Sequence, residues 1–260
     1  MDRRERLLHV NNFSVYYGRG MNNDLESAGL AIVEPAGQSV ESIKKLQASG
    51  TIVVAYQSVI EIDERSKDFC LIKDTDFLKI DGKALTNDSY GTYLLDIRSK
   101  NWSEILHHKI GKLLLELGYD GIFLDTMGDI EYNVITPSCF NSLIIEASNF
   151  ARRLKMDFPD KLFIQNNGLQ KLCLYTAQFM DAICWENPYV DYFNNPQLFK
   201  LIIKRLEMMQ GKWNIKILLL VEKNSNDAYD RNTLKIFMEE LETIAKNKGF
   251  LLYSASRNYL

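Results

Sequence analysis

Short apolar runs recur along the chain at 13–18, 30–34, 51–56, 93–97, 121–125, 162–166, 182–186, 216–222 and 250–255. Each is nearly continuous in hydrophobicity, as expected of strands in a parallel sheet covered on both faces. Between them, 102–117, 138–157, 196–210 and 227–248 carry apolar residues at helical spacing. Strand and helix in alternation read as repeated βα units, hence a barrel or a doubly wound sheet. Because the runs reach eight, the pattern predicts a (β/α)8 barrel forming a single domain over 1–260. One of the nine runs then lies outside the ring.

Several runs end on a polar or acidic residue: Glu34, Asp96, Asp125, Asn166, Glu186 and Glu222. In such barrels the chemistry gathers where the strands end, on one rim. An acid after a strand also caps the helix that follows, but six such endings predict a polar rim with all six residues opening onto it. Asp120 lies at the start of its strand, so it belongs to a turn on the opposite rim. Trp185 precedes Glu186, and strand alternation turns it outward into the barrel–helix layer.

The segment 60–92 is long and has little helical period. Asp81-Gly82 between apolar flanks predicts a hairpin within it. The segment follows a strand, so it rises over the rim, as a flap over substrate or as a plain insertion.

Composition narrows the class of partner. Hydrophobic residues make up 46% and charged residues 25%, enough for a large buried core. With 31 basic and 34 acidic side chains the formal charge is -3, which argues against nucleic acid as a partner. Cys70, Cys139, Cys173 and Cys184 form no C-x-x-C pair, and His9, His107 and His108 no H-x-x-x-H pair. No metal site is therefore expected, and no cofactor. The charged start Met-Asp-Arg-Arg-Glu-Arg is followed by no apolar signal segment, and no run is long enough to span a membrane.

The best candidate chemistry is a pair of carboxylates. Tyr119-Asp-Gly-Ile-Phe-Leu-Asp125 and Ala182-Ile-Cys-Trp-Glu186 each deliver an acid to a strand end. Strands lie about 4.8 Å apart, so alternate strand ends span roughly 10 Å of rim. Two inward-leaning carboxylates at that spacing can flank one glycosidic bond. Tyr17, Tyr56 and Tyr253 lie near strand ends, where a hydroxyl can reach substrate or be satisfied in the core. Tyr189, after Asn187-Pro188, is placed to stack on a sugar face. Arg98 and Arg257 either bind site carboxylates or cap helices.

At these residues the chain resembles glycoside hydrolase family 114, the endo-α-1,4-polygalactosaminidases. The pieces that carry the resemblance are Phe13-Ser-Val-Tyr-Tyr-Gly18, Val53-Val-Ala-Tyr56, Leu94-Leu-Asp-Ile-Arg98 with Trp102, Tyr119 to Asp125, Ile164-Gln-Asn166 and Trp185-Glu186. The resemblance implies an endo-acting hydrolase of galactosamine-rich polysaccharide in an extracytoplasmic setting. It implies Asp125 as nucleophile, Glu186 as general acid/base, and Asp96 as an acid of the fourth strand that binds a sugar hydroxyl or ammonium group. Tyr17, Glu34, Tyr56, Asn166, Tyr189 and Glu222 complete the expected substrate site. Gln-Asn at 165–166 departs from the family's Lys-Asn ending. The alternative is a carbohydrate-binding barrel without catalysis, against which both carboxylates speak.

Overall fold

A computed structural model describes residues 3–131, 135–222 and 231–260. Eight strands form one parallel sheet: β1 Phe13–Tyr16, β2 Leu30–Val33, β3 Ile52–Ser58, β4 Gly121–Asp125, β5 Leu162–Asn166, β6 Ala182–Glu186, β7 Lys216–Glu222 and β8 Leu251–Ala255. They follow one another in chain order round a nearly closed barrel. Side-chain contacts draw β1 and β8 together at the seam. Ser14 Oγ donates to the Tyr253 hydroxyl at 3.2 Å, and the Phe13 and Tyr253 rings meet at 5.6 Å. Five long helices pack outside: α1 Val40–Ala48, α2 Lys100–Gly111, α3 Pro137–Asp157, α4 Pro196–Trp213 and α5 Arg231–Lys248. Shorter turns, Asn23–Ser27 and Cys173–Thr176, serve the β1–β2 and β5–β6 crossings.

The two-residue period of a strand decides what lies inside. Val15, Ile32, Val54, Phe123, Ile164, Cys184 and Leu220 point inward and fill the barrel. Their neighbours Ala31, Val53, Ile122, Phe163, Ile183, Trp185 and Leu219 point outward against the helices. Burying each large apolar side chain contributes about 1.5–3 kcal/mol. Gly121 has its own reason: a Cβ there would come within 2.3 Å of the Leu162 carbonyl oxygen, so β4 approaches β5 only with glycine.

The supernumerary run is 93–97. Thr92–Leu94 pairs antiparallel with Glu61–Asp63 and with Thr86–Asn87, forming a small sheet between β3 and α2. This run is apolar because it seals a local core. Phe69, Phe77 and Tyr93 pack at 5.3–6.1 Å, and Leu94, Leu95 and Ile97 are buried. The Asp81-Gly82 hairpin is present, Lys79–Ile80 against Lys83–Ala84, with φ of 52° and 77° at its two central residues.

The lower rim is held by two acids. Asp120 accepts from the Val53 N–H at 3.0 Å, from Gln47 at 3.0 Å and from Arg3 at 2.8 Å. Asp181, fully buried, accepts from the Phe163 N–H at 3.0 Å and from Lys155 at 2.9 Å. Each starts the strand whose other end carries Asp125 or Glu186.

Candidate active site

On seven of the eight strands, β1 to β7, the inward face continued by one more step ends on a polar side chain. Tyr17 follows Val15, Glu34 follows Ile32, Tyr56 follows Val54, Asp125 follows Phe123, Asn166 follows Ile164, Glu186 follows Cys184 and Glu222 follows Leu220. All seven line one cavity of about 1680 Å³ over the barrel mouth. Asp96 and Tyr189 do not. The resemblance put Asp96 on the fourth strand, but the fourth strand is β4. Asp96 follows the small antiparallel sheet and holds Arg98, with Nε to Oδ1 at 2.8 Å and Nη2 to Oδ2 at 2.7 Å. Tyr189 starts a short helix after β6 and is buried, its ring 6.3 Å from Phe237. The side chain of Arg257 lies outside the described residues.

Asn166, on β5 between the two acids, joins them. Its Nδ2 donates to Asp125 Oδ1 at 2.8 Å and to Glu186 Oε2 at 2.6 Å. Those two lengths bound the gap between the two oxygens at about 5.4 Å. The Asn166 amide is itself buried, and its Oδ1 has no hydrogen-bond partner among the described residues.

Burial pushes both acids up, Glu186 to about 7, with the charge of Asp125 as the second cause. For Asp125, hydrogen bonds from Asn166, Tyr56 and the Thr126 N–H oppose that rise. For Glu186, hydrogen bonds from Tyr259 and Asn166 oppose it. Burial and the nearby carboxylates also raise Tyr17 and Tyr56 well above the usual phenol range, so both remain neutral. Cys184, beneath the pair, is raised in the same way and stays a thiol.

The residue after each of three strands is left-handed: Thr126 at φ 61°, Asn167 at 54° and Asn187 at 51°. Asn tolerates this region, and a β-branched threonine rarely enters it. Each side chain is used. Thr126 Oγ1 accepts from the N–H groups of Val59 and Ile60 at 3.1 and 3.0 Å, tying β4 to the start of the segment 60–92. Asn167 Oδ1 accepts from the Glu186 N–H and Asn187 Oδ1 from the Glu222 N–H.

The mouth is strongly acidic. Glu61, nearly buried in the small sheet, adds a carboxylate held by Asn87 at 2.8 Å and Thr92 at 2.6 Å. Glu34 is partly committed to capping, accepting from the Ala36 N–H at 3.1 Å. Glu131 also lines the cavity, but its oxygens are committed to the N–H groups of Gln170, Lys171 and Leu172. Among the described lining residues, Lys67, Lys109 and Lys112 come from the segment 60–92 and the α2 side, not from the strand ends. Within 60–92, Glu61, Asn87, Tyr90 and Thr92 line the cavity. The hairpin at Asp81-Gly82 does not; the parts of the segment that line the cavity lie within 61–71 and 87–92. Among the described residues no three His, Cys, Asp or Glu side chains converge to hold a metal ion.

Residues missed by sequence pattern are Glu61, Tyr90, Thr126, Asn167, Asn187 and Tyr259, whose hydroxyl donates to Glu186 Oε1. Only the asparagines left a local signal, an Asn directly after a strand.

A (β/α)8 barrel with an acid-lined mouth at its strand ends suits a carbohydrate-cleaving enzyme, and the comparisons with known proteins identify its family. The sequence pattern of glycoside-hydrolase family GH114 matches residues 8–186, and the chain belongs to that family. It is therefore a glycoside hydrolase. The glycoside hydrolase domain of PelA from Pseudomonas aeruginosa superposes with a TM-score of 0.73 at 14% identity, covering 96% of each chain. Aspergillus fumigatus Ega3, solved in complex with galactosamine, superposes with a TM-score of 0.67 at 15% identity, covering 96% of this chain and 91% of Ega3. These two likenesses establish the shared fold. The Methanocaldococcus jannaschii protein MJ1477 is 27% identical over 124 residues, 44% of this chain and 34% of the relative, so the match spans about a third of that protein.

Proposed function

We propose that the protein is an endo-acting hydrolase of α-1,4-linked, galactosamine-rich polysaccharide, working by a retaining mechanism with Asp125 as nucleophile and Glu186 as general acid/base. The observation that carries the reading is the shared donor: one amide nitrogen of Asn166 bonds an oxygen of each acid. A gap of at most about 5.4 Å between those oxygens fits the close carboxyl spacing of retaining enzymes, about 5–5.5 Å, rather than the 6.5–9.5 Å that leaves room for water in inverting ones.

In the first step an Asp125 oxygen bonds to the anomeric carbon as the glycosidic bond breaks. Glu186 gives its proton to the departing oxygen. In the second, Glu186 takes a proton from water, the water oxygen bonds to the anomeric carbon, and Asp125 is released. Asn166 holds both acids through one planar amide. Glu186, raised to about 7, retains its proton near neutrality, as the first step requires.

Galactosamine as the sugar rests on two supports. Ega3, a structural relative, binds it. An ammonium group also suits a mouth lined by Glu34, Glu61 and Glu222 around the pair. The open cavity running from the strand ends past the segment 60–92 suits a polymer passing through rather than a chain end held in a pocket. The test is mass spectrometry of products from α-1,4-galactosamine oligomers of defined acetylation. Internal cleavage into shorter oligomers supports the reading. Release of monosaccharide alone, or no cleavage at any acetylation level, would count against it.

A further inference from the structure

The segment after β8, Arg257–Tyr259, is a single tight turn that reaches the barrel mouth. Its backbone is unusual: Asn258 has φ 55° and Tyr259 φ 57°. Asparagine accepts that region, but tyrosine enters it at a cost and must be held there. Backbone hydrogen bonds hold it, one of them from the Tyr259 N–H to the Ser256 carbonyl at 3.1 Å. The Asn258 N–H donates to Glu222 Oε1 at 2.6 Å, and the Tyr259 carbonyl accepts from the Tyr17 N–H at 2.7 Å. The Tyr259 ring packs on that of Tyr17 at 5.0 Å. Held this way, the hydroxyl donates to Glu186 Oε1, while Asn166 Nδ2 holds Oε2 at 2.6 Å. Each oxygen of Glu186 therefore has one fixed donor.

We infer that Tyr259 is a positioning residue for Glu186, fixing the orientation of its carboxyl and weakening its hold on the proton. The inference rests on the reading of Glu186 as acid/base.

The surroundings of Glu186 show why such a donor matters. The titratable groups near it are Asp125 on β4, Glu222 on β7, Cys184 on its own strand, Tyr17 and Tyr56 beyond β1 and on β3, Tyr90 on the segment 60–92, and Tyr259. Asp125 and Glu222 add to burial in driving Glu186 toward its protonated form. Tyr259 and Asn166 act in the opposite sense. A proton held too tightly would serve the first step and obstruct the second, in which Glu186 must act as base. A neutral phenol suits the task because it favours the carboxylate without neutralising it. Burial and Glu186 itself raise the Tyr259 phenol far above its usual range, so it remains a donor throughout.

The test is a direct titration of Glu186 by the 13Cδ signal of labelled glutamate, assigned by its loss in Glu186→Gln. Tyr259→Phe keeps the ring against Tyr17 and removes only the hydroxyl. Loss of one charge-assisted hydrogen bond should raise the Glu186 midpoint by about one pH unit. The alkaline limb of kcat/KM on α-1,4-galactosamine oligomers should move up with it. In a second variant, 3-fluorotyrosine at 259, a stronger donor, should move the midpoint the other way. A midpoint unchanged in both variants overturns the inference, since ring packing alone would leave it unmoved. Wild-type turnover by Glu186→Gln would instead sink the acid/base reading, and the titration would still report whether Tyr259 sets the proton affinity of Glu186.

Discussion

The side-chain oxygen of Asn167 accepts a hydrogen bond from the backbone N–H of Glu186, at 3.0 Å. The arrangement recurs one strand further, where Asn187 Oδ1 accepts from the Glu222 N–H at 2.9 Å. In each case the asparagine N–H also bonds back to the neighbouring strand, to Cys184 O at 2.9 Å and Leu220 O at 2.7 Å. A left-handed asparagine thus lengthens the ladder by one bond and pins the next acid on the rim.

The first prediction follows from that geometry. Asn167→Ala removes the acceptor and leaves a strained backbone, so it should lose about 1–2 kcal/mol of stability. Asn167→Gly tolerates the φ but lacks the acceptor, so it should melt closer to wild type. Both should lower kcat by roughly tenfold or more, because the Glu186 backbone is no longer fixed. Thermal melts and steady-state kinetics on galactosamine oligomers check this. Wild-type kcat in both variants would show that the contact does not serve the site.

The lower rim should behave differently. Asp120 and Asp181 satisfy strand N–H groups and nearby cations far from the cavity. Asp120→Ala or Asp181→Ala strands those partners, so each should cost about 3 kcal/mol or more in denaturant unfolding. Activity per folded molecule should stay at the wild-type level. A folded variant with a large loss of kcat would mean that the two rims are coupled.

Much of this was legible along the chain, and the exceptions have identifiable physical causes. The barrel was legible because eight apolar runs need both faces covered. The rim was legible because inward parity carries from Phe123 to Asp125 and from Cys184 to Glu186. Asp96 was misplaced because 93–97 has the composition of a barrel strand. Its antiparallel pairing with Glu61–Asp63 is set by contacts 29 to 33 residues away in sequence, and a hydrophobic pattern does not encode that choice. Tyr189 was misplaced because its helix turns the ring down against Phe237. Tyr259 left no local signal at all: it meets Glu186 across 73 residues of sequence.

The elevated Glu186 has a stability consequence whose sign is fixed. Folding raises it from 4.5 to about 7, so the folded state binds the proton more tightly than the unfolded one. That contribution is fully present below pH 4.5 and is lost as pH rises through about 7. Glu186→Gln has no such proton to lose. Its melting temperature relative to wild type should rise between pH 5 and pH 8, while hydrolysis of unactivated substrate falls sharply. A constant difference in melting temperature across that range would contradict the elevated Glu186.

Tyr90 stands 76% exposed on the segment 60–92 and lines the cavity edge. An aromatic face there can pack on a sugar ring beyond the bond being cleaved. Tyr90→Ala should raise KM on long oligomers by roughly three- to tenfold, with little change on a monosaccharide fluoride. Equal effects on both substrates would place Tyr90 at the reacting sugar instead.

The measurement that bears most directly on the pair is mass spectrometry of Glu186→Gln after incubation with α-galactosaminyl fluoride, whose leaving group needs little protonation. Asp125 can still attack, but water lacks its base, so a glycosyl ester should accumulate on the peptide containing Asp125. Asp125→Asn under the same conditions should carry no adduct. An adduct on Glu186 in the wild-type or Asp125→Asn protein, or no adduct anywhere with an inverted product anomer, would contradict the assignment of Asp125 as nucleophile and Glu186 as acid/base.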